Sequence, residues 1–182
     1  MNASTILHRP QVTPAEALAY YDNLEPVDEA FLRGKWEGSG LHTDHPMDGL
    51  LERFNWYGKE FIDSEQVHPL LFRGLGQRIH RVDPIRTAMR FSIYLPTAVQ
   101  LGVKYLFLGL PFLFTTRASK ARLRQIRYRT KLSTGMVYDD LPIIDHFRKI
   151  DEDTVLGAMD YKRLAEYPPF FFVLRRVKNS RH

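Results

Sequence analysis

Apolar and polar side chains alternate along several short stretches of the chain, which is typical of strands with one face in a core. In the stretch 34–40, "GKWEGSG", Trp36, Gly38 and Gly40 share one face and polar residues form the other. Alternation also predicts a pair of strands within 124–140, with a hairpin that turns at "STG" in 133–135, and apolar runs bounded by turn residues predict further strands within 67–83, 88–95, 146–160 and 170–177. The pattern therefore predicts a mainly β protein with antiparallel strands.

Two helices are predicted before the first strand. Thr13 and Glu16 form a capping box, in which each side chain bonds the other residue's backbone, and the helix should continue through Leu24. A shorter helix should begin at Asp28 and end before Gly34, because glycine readily takes the left-handed conformation that ends helices.

The glycines of the stretch 34–40 predict a corner of a closed sheet. Glycine weakens a strand, but it permits a sharp bend and the close approach of another group. We expect the indole of Trp36 to fill one end of a β-barrel, in space left by Gly38 and Gly40.

The most hydrophobic part of the chain runs from residue 97 to 114. Its uncharged run, 105–114, has ten residues, fewer than the roughly 20 that span a bilayer as a helix. We favour a helix or hairpin that covers the core. The alternative is a segment that lies on an anionic membrane surface, because basic residues stand on both sides of it: Arg86, Arg90, Arg117, Lys120, Arg122 and Arg124.

Length and composition predict one folded domain. The 182 residues are 44% hydrophobic and 13% aromatic, which is enough for a large core. We divide this domain, 1–182, into four parts. They are a helical N-terminal segment (1–33), a half that begins with the Gly-Trp stretch (34–95), a hydrophobic insertion (96–120) and a strand-rich C-terminal half (121–178).

The absence of cysteine excludes disulfides, thiolate metal sites and a cysteine nucleophile. The first residues also lack the basic and apolar regions of a secretory signal. We therefore expect a cytoplasmic location.

Charge is distributed unevenly along the chain. Residues 1–70 carry 12 acidic and 5 basic residues, whereas residues 71–182 carry 9 and 21. The segment 117–131 has seven basic residues and no acidic one, a composition that can contact phosphates. Because no nucleic-acid-binding motif accompanies it, we favour a solvated barrel face that balances the acidic half and disfavour a nucleic-acid partner.

Two motifs resemble a known family. "GKWEGSG" matches the signature of the GXWXG family, and "MVYDDLPIIDHFRKIDEDTVLGAMD" with the later "FFFVLRR" resembles the C-terminal domain of unknown function that accompanies it. With "NWYGKEFIDSEQVHPLLF", the resemblance extends from about Asp28 to Val177. The family is named for its motif, so the resemblance implies an architecture and no particular activity.

The same signature is similar to the one that opens calycin-type barrels, which include lipocalins, fatty-acid-binding proteins and nitrobindins. This likeness implies a calycin-like antiparallel β-barrel, here with N-terminal helices and a hydrophobic helical insertion near its mouth. The residues after Gly40 depart from the nitrobindin pattern, so haem binding, with His68 as the candidate ligand, is only a further alternative.

A barrel of this size with many aromatic residues favours binding of a small hydrophobic molecule in its interior, without a cofactor. We expect five aromatic side chains to line or close the cavity: Trp36, Trp56, Tyr57, His68 and Tyr138.

The alternative function is a cofactor-independent isomerase, cyclase or dehydratase that acts on a hydrophobic metabolite. Its candidate acid-base residues are Tyr138, Asp145 and His146. Strand alternation places Asp145 and His146 on opposite faces, and structural roles for these side chains are the simpler interpretation.

One loop brings possible metal ligands close together in sequence. These are His42, Asp44, His45 and Asp48. A His-x-x-His pair in a loop arises easily by chance, so we predict a solvated loop and no metal site.

Overall fold

Eight antiparallel strands close into a barrel in the computed structural model, which describes residues 6–84 and 97–178. The strands are β1 (Glu25–Pro26), β2 (Gly34–Gly40), β3 (Trp56–Phe61), β4 (Val67–Arg73), β5 (Ile79–Arg81), β6 (Ala121–Tyr128), β7 (Lys131–Tyr138), β8 (Ile143–Asp151), β9 (Thr154–Tyr161) and β10 (Phe170–Arg176). The ring runs β8-β7-β6-β4-β3-β2-β10-β9 and closes where β9 pairs with β8. Strand β1 pairs with β8, and β5 pairs with β4. The predicted mainly β barrel is confirmed.

The described part of the chain contains the helices α1 (Pro14–Asn23), α2 (Glu29–Leu32), α3 (Leu50–Arg53) and α4 (Thr97–Gly109). The capping box at the start of α1 is present: the Glu16 amide donates to the Thr13 hydroxyl, and the Thr13 amide donates to the Glu16 carboxylate. Helix α2 begins after Asp28, whose carboxylate accepts from the Phe31 amide. Both predicted N-terminal helices are confirmed.

The barrel wall is covered on both sides where β10 lies. Phe170, Phe172 and Leu174 belong to the core inside the barrel. The residues between them, Phe171 and Val173, join a second core on the outer face, together with residues of α1. This double coverage explains why β10 reads as a continuous apolar run and does not alternate.

The Gly-Trp stretch forms β2 as predicted, but its glycines do not make room for Trp36: a Cβ on Gly40 would lie 2.8 Å from the Glu52 carboxylate. A Cβ on Gly38 would lie 2.2 Å from the Trp56 ring, so Gly38 makes room for Trp56 on the neighbouring strand. Trp36 is fully buried, and its Nε1 donates to the Leu32 carbonyl at 2.7 Å. The Arg176 guanidinium covers the ring at 4.2 Å from its centroid. Helix α2 and Arg176 therefore enclose Trp36.

Two further expectations differ from the structure. The hairpin between β6 and β7 turns at Arg129, where φ is +55°, and "STG" lies within β7. Leu132, which alternation within 124–140 predicts on the buried face with Ile126 and Tyr128, is 51% exposed. The predicted strand 88–95 lies outside the described residues.

The hydrophobic insertion contains α4 and a short 3-10 helix at Pro111–Leu113. Leu108 and Phe114 pack on the barrel core, while other large apolar side chains of the segment are exposed, among them Tyr105 and Phe112. In the described part of the chain, each helix is too short or too polar to cross a bilayer.

Ion pairs tie the basic segment 117–131 to acidic residues. They join Lys120 to Asp83 and Asp140, Arg122 to Asp139, Arg124 to Glu65 and Arg129 to Asp22. Much of the positive charge on this face is thus balanced within the protein.

Candidate functional site

A β-bulge in β3 turns a lysine into the barrel. The pairing of β3 with β4 shifts register on both sides of Gly58, which has φ of +148°. In a regular strand, residues three apart face opposite sides. Here Trp56 and Lys59 both line the same interior cavity, because the bulge changes the phase of the strand.

Lys59 forms an ion pair with Asp145 inside the barrel. The two side chains are 4% and 0% exposed, and Nζ lies 2.8 Å from Oδ2. The ammonium also donates to the Pro69 carbonyl at 3.2 Å and to the Tyr138 hydroxyl at 3.4 Å. Lys59 also lies against aromatic rings, and its Nζ is 4.9 Å from the centroid of the Phe172 ring. Strands β3, β7 and β8 thus converge on one polar group of side chains.

Burial controls the charge states of the site. Loss of solvent raises the pKa of Asp145, and the Lys59 charge opposes this rise without cancelling it. Burial, with a smaller effect from Asp145, raises the pKa of Tyr138 well above its ordinary value. Tyr138 therefore keeps its proton at neutral pH.

Two polar atoms of this site have no hydrogen-bond partner among the described residues. They are Oδ1 of Asp145 and Nε1 of Trp56, and both are buried, whereas the other carboxylate oxygen, Oδ2, has the ion pair with Lys59 as its contact. An unpaired carboxylate oxygen inside a core costs folding free energy. These atoms are consequently the parts of the site that can bind a further polar group.

The cavity beside the ion pair is small. Its volume is about 20 Å³, room for about one water molecule. Ten residues line it: Met47, Leu51, Trp56, Lys59, Leu70, Tyr138, Asp145, Met159, Phe170 and Phe172.

Helix α3 and the loop before it cover the cavity. Met47 and Leu51 come from this segment. The carboxylate of Glu52 accepts from the Gly40 amide at 2.9 Å, and the Arg53 guanidinium donates to Gln100 of α4. The covering segment is therefore attached to β2 on one side and to the insertion on the other.

A larger cavity of about 190 Å³ shares one lining residue, Met159, with the interior cavity. Its other lining residues come mainly from the end of β9 and the connection to β10: His45, Tyr128, Asp160, Tyr161, Leu164, Ala165, Tyr167, Pro168 and Pro169.

The structure distributes the predicted ligand-binding residues over several environments. Trp56 and Tyr138 line the interior cavity, and Trp36 is buried in the core inside the barrel.

Tyr57 faces outward, where the Arg73 guanidinium lies 4.9 Å from its ring. His68 is buried and pairs with Glu60 across β3 and β4, and desolvation lowers its pKa. Tyr57 and His68 therefore do not line the cavity.

The three predicted acid-base residues do not meet. Tyr138 and Asp145 both contact Lys59 inside the barrel. His146 points to the outer side of β8, where its ring stacks on Tyr128 at 3.7 Å between centroids. Strand alternation separates His146 from the interior.

We predict that His146 makes stability depend on pH. Burial, and to a lesser extent Arg148, lowers the pKa of His146 from 6.5 to about 4. As pH falls, the unfolded chain therefore takes up this proton at a higher pH than the folded protein does. Between pH 6.5 and 4, the free energy of unfolding should decrease by about 3 kcal/mol from this residue.

Urea unfolding of the wild type and of His146→Gln across that pH range measures this effect. The variant keeps His45 and His68, whose pKa values are also lowered by desolvation, so the difference between the curves isolates His146. If the unfolding free energies of the two proteins change with pH in parallel, His146 has an ordinary pKa.

The loop that holds the possible metal ligands is organised by hydrogen bonds. The carboxylate of Asp48 accepts from the amides of Thr43 and His45, and Nδ1 of His45 accepts from the Met47 amide. Among residues 6–84 and 97–178, no group of three or more His, Asp or Glu residues is placed to hold a metal ion. Asp48 and His45 here shape the loop.

Sequence reasoning did not identify Lys59. Strict alternation from Trp56 places Lys59 outside, and only the bulge reverses this. The sequence signal for the bulge was Gly58, which lies between Trp56 and Lys59, since an isolated glycine in a strand often marks a bulge.

The fold and site define a class: an eight-stranded antiparallel barrel with a buried polar site. Residues 19–76 match the family described as GXWXG protein, and residues 119–176 match the domain of unknown function DUF4334. A crystal structure described as a protein from Thermomonospora curvata has a TM-score of 0.68 and 31% identity, and the match covers 92% of this chain and 90% of that one. No curated protein matches the chain. The chain belongs to the GXWXG family with a C-terminal DUF4334 domain.

Proposed function

We propose that the protein binds a small, largely apolar molecule that carries one carbonyl or hydroxyl group. The polar group of this molecule would contact Asp145, Tyr138 and Trp56 inside the barrel. The observation that carries the proposal is the buried Asp145 carboxylate, because its Oδ1 has no hydrogen-bond partner among the described residues.

The energetics of burial support a functional role for this site. A buried ion pair typically gives no more stability than apolar residues of similar volume. Lys59 pairs with only one of the two Asp145 oxygens, so the desolvation cost is incompletely offset. A bound polar group would provide the missing contact.

The pattern of donors and acceptors supports a carbonyl or hydroxyl group. Lys59 directs its donors at Asp145, Pro69 and Tyr138. Since the Tyr138 oxygen accepts from Lys59, its own O–H remains available to donate. Nε1 of Trp56 is a second donor, and Oδ1 of Asp145 is an acceptor. The two donors can bind a carbonyl oxygen. A hydroxyl group can accept from one of the donors and donate to Asp145.

The size of the cavity limits how a molecule could enter. A volume of about 20 Å³ is too small for an organic ligand, so binding requires a shift of Met47 and Leu51 or of Met159. Movement of Met159 would let the apolar body of the ligand extend into the neighbouring cavity of about 190 Å³.

Titration with cyclohexanone, followed by tryptophan fluorescence, tests this proposal. We expect saturable binding that Tyr138→Phe weakens by roughly 3- to 10-fold, the effect of one hydrogen bond. The matched control is Tyr57→Phe, which removes the same hydroxyl from the outward-facing tyrosine and should leave the Kd unchanged.

A second variant checks the location. Leu51→Trp adds volume next to the cavity and should abolish binding while the protein stays folded by circular dichroism. Absence of saturable binding, or equal effects of the two tyrosine variants, would contradict the proposal.

A further inference from the structure

We infer that the interior site transfers a proton at the carbon next to a ligand's carbonyl group, with Asp145 as base and Tyr138 as donor to the carbonyl oxygen. The reaction class is the isomerisation of a β,γ-unsaturated ketone to its conjugated isomer. This inference rests on the proposed binding function and adds a reaction to it.

Asp145 has the position of a general base. It is 0% exposed, lies against the interior cavity and has Oδ1 without a hydrogen-bond partner among the described residues. Because burial also raises its pKa, its carboxylate is a stronger base than one in water. Lys59 contacts the other oxygen and so favours the ionised form.

Tyr138 has the position of an oxyanion donor. Its hydroxyl lies 3.4 Å from the Lys59 ammonium, which leaves the phenolic hydrogen for a ligand oxygen. The nearby positive charge stabilises negative charge that develops on that oxygen, and the dry site strengthens this effect. Nε1 of Trp56 can supply a second donor.

Lys59 is a positioning residue in this scheme. Its contacts with Pro69, Tyr138 and Asp145 fix the base and the donor relative to each other. We assign it no contact with the reacting atoms.

The step balances without any further reactant. Asp145 Oδ1 takes the proton from the carbon between the carbonyl and the alkene, and the C–H electron pair forms the new C=C bond of a dienolate. The carbonyl π electrons move to the oxygen, which accepts a hydrogen bond from Tyr138. Asp145 then returns the proton to the γ carbon, the carbonyl re-forms, and the carboxylate is ionised again.

Turnover of cyclohex-3-enone by the full chain tests the inference, since its conjugated isomer absorbs in the ultraviolet. We expect catalysis that Asp145→Asn lowers by roughly 10²- to 10⁴-fold, the usual contribution of a general base. Tyr138→Phe should also lower kcat, and the outward-facing Tyr57→Phe should retain the wild-type rate. In the wild type, kcat should fall at acidic pH as Asp145 becomes protonated, and this fall should be absent from the residual rate of Asp145→Asn.

Cyclohexanone binding, measured separately on the same proteins, distinguishes the possible failures. If cyclohexanone binds but cyclohex-3-enone is not isomerised, or Asp145→Asn keeps the full rate, the inference is overturned and the binding function stands. If neither ketone binds, both are overturned. Should Asp145→Asn fail to fold, an unchanged kcat in folded Tyr138→Phe would still overturn the inference.

Discussion

Gly58→Ala is expected to lower the free energy of unfolding by roughly 3–5 kcal/mol. Gly58 has φ of +148°, and an added Cβ would lie 1.9 Å from the Trp36 carbonyl oxygen. Backbone strain and a clash with a backbone atom therefore combine, and neither can be relieved by rotating a side chain. Urea unfolding at neutral pH measures the loss.

The control for this change is Gly102→Ala in α4. Among the described residues, a Cβ at Gly102 meets open space, and alanine favours a helix by roughly 0.5–1 kcal/mol over glycine. Gly102→Ala should thus be neutral or slightly stabilising. A Gly58→Ala protein as stable as the wild type would show that β3 has no bulge at this position.

The second large effect is expected from the ion pair. Lys59→Met leaves the Asp145 carboxylate buried without its partner, and Asp145→Leu does the same to Lys59. Each single change should cost about 3–5 kcal/mol. The double variant Lys59→Met/Asp145→Leu should recover most of this loss and reach or exceed wild-type stability, because well-packed apolar residues replace both charges.

Unfolding of these four proteins forms a double-mutant cycle. The double variant should also lose cyclohexanone binding, because Oδ1 of Asp145 is gone. A stable protein that no longer binds would show that the pair serves binding at a cost in stability. If the loss in the double variant equals the sum of the two single losses, the coupling energy is zero and the two side chains do not act as a pair.

Local patterns predicted most of the fold. The capping box at Thr13 and the strand alternation in 34–40 depend on neighbours in sequence, so one sequence is enough to detect them. The hairpin between β6 and β7 was predicted, but its turn was misplaced. The glycine of "STG" at Gly135 was read as a turn residue, whereas Arg129 adopts the positive φ.

The site was only partly predictable, because it depends on contacts between strands. Tyr138 and Asp145 were candidates from sequence, and the barrel brings both to Lys59. The fit of Trp56 against Gly38 depends on the neighbouring β2 and β3, which the sequence does not specify. Lys59 itself faces inward only because of the bulge, and strand periodicity alone assigns it to the surface.

A crystal structure of the protein with cyclohexanone is the most direct test of the central claim, that Asp145, Tyr138 and Trp56 hold the polar group of a small molecule. We predict density for the ketone inside the barrel, with its oxygen at hydrogen-bond distance from the Tyr138 hydroxyl and with Met159 or the covering segment displaced. Density only on the outer surface, with the interior cavity closed, would contradict the claim.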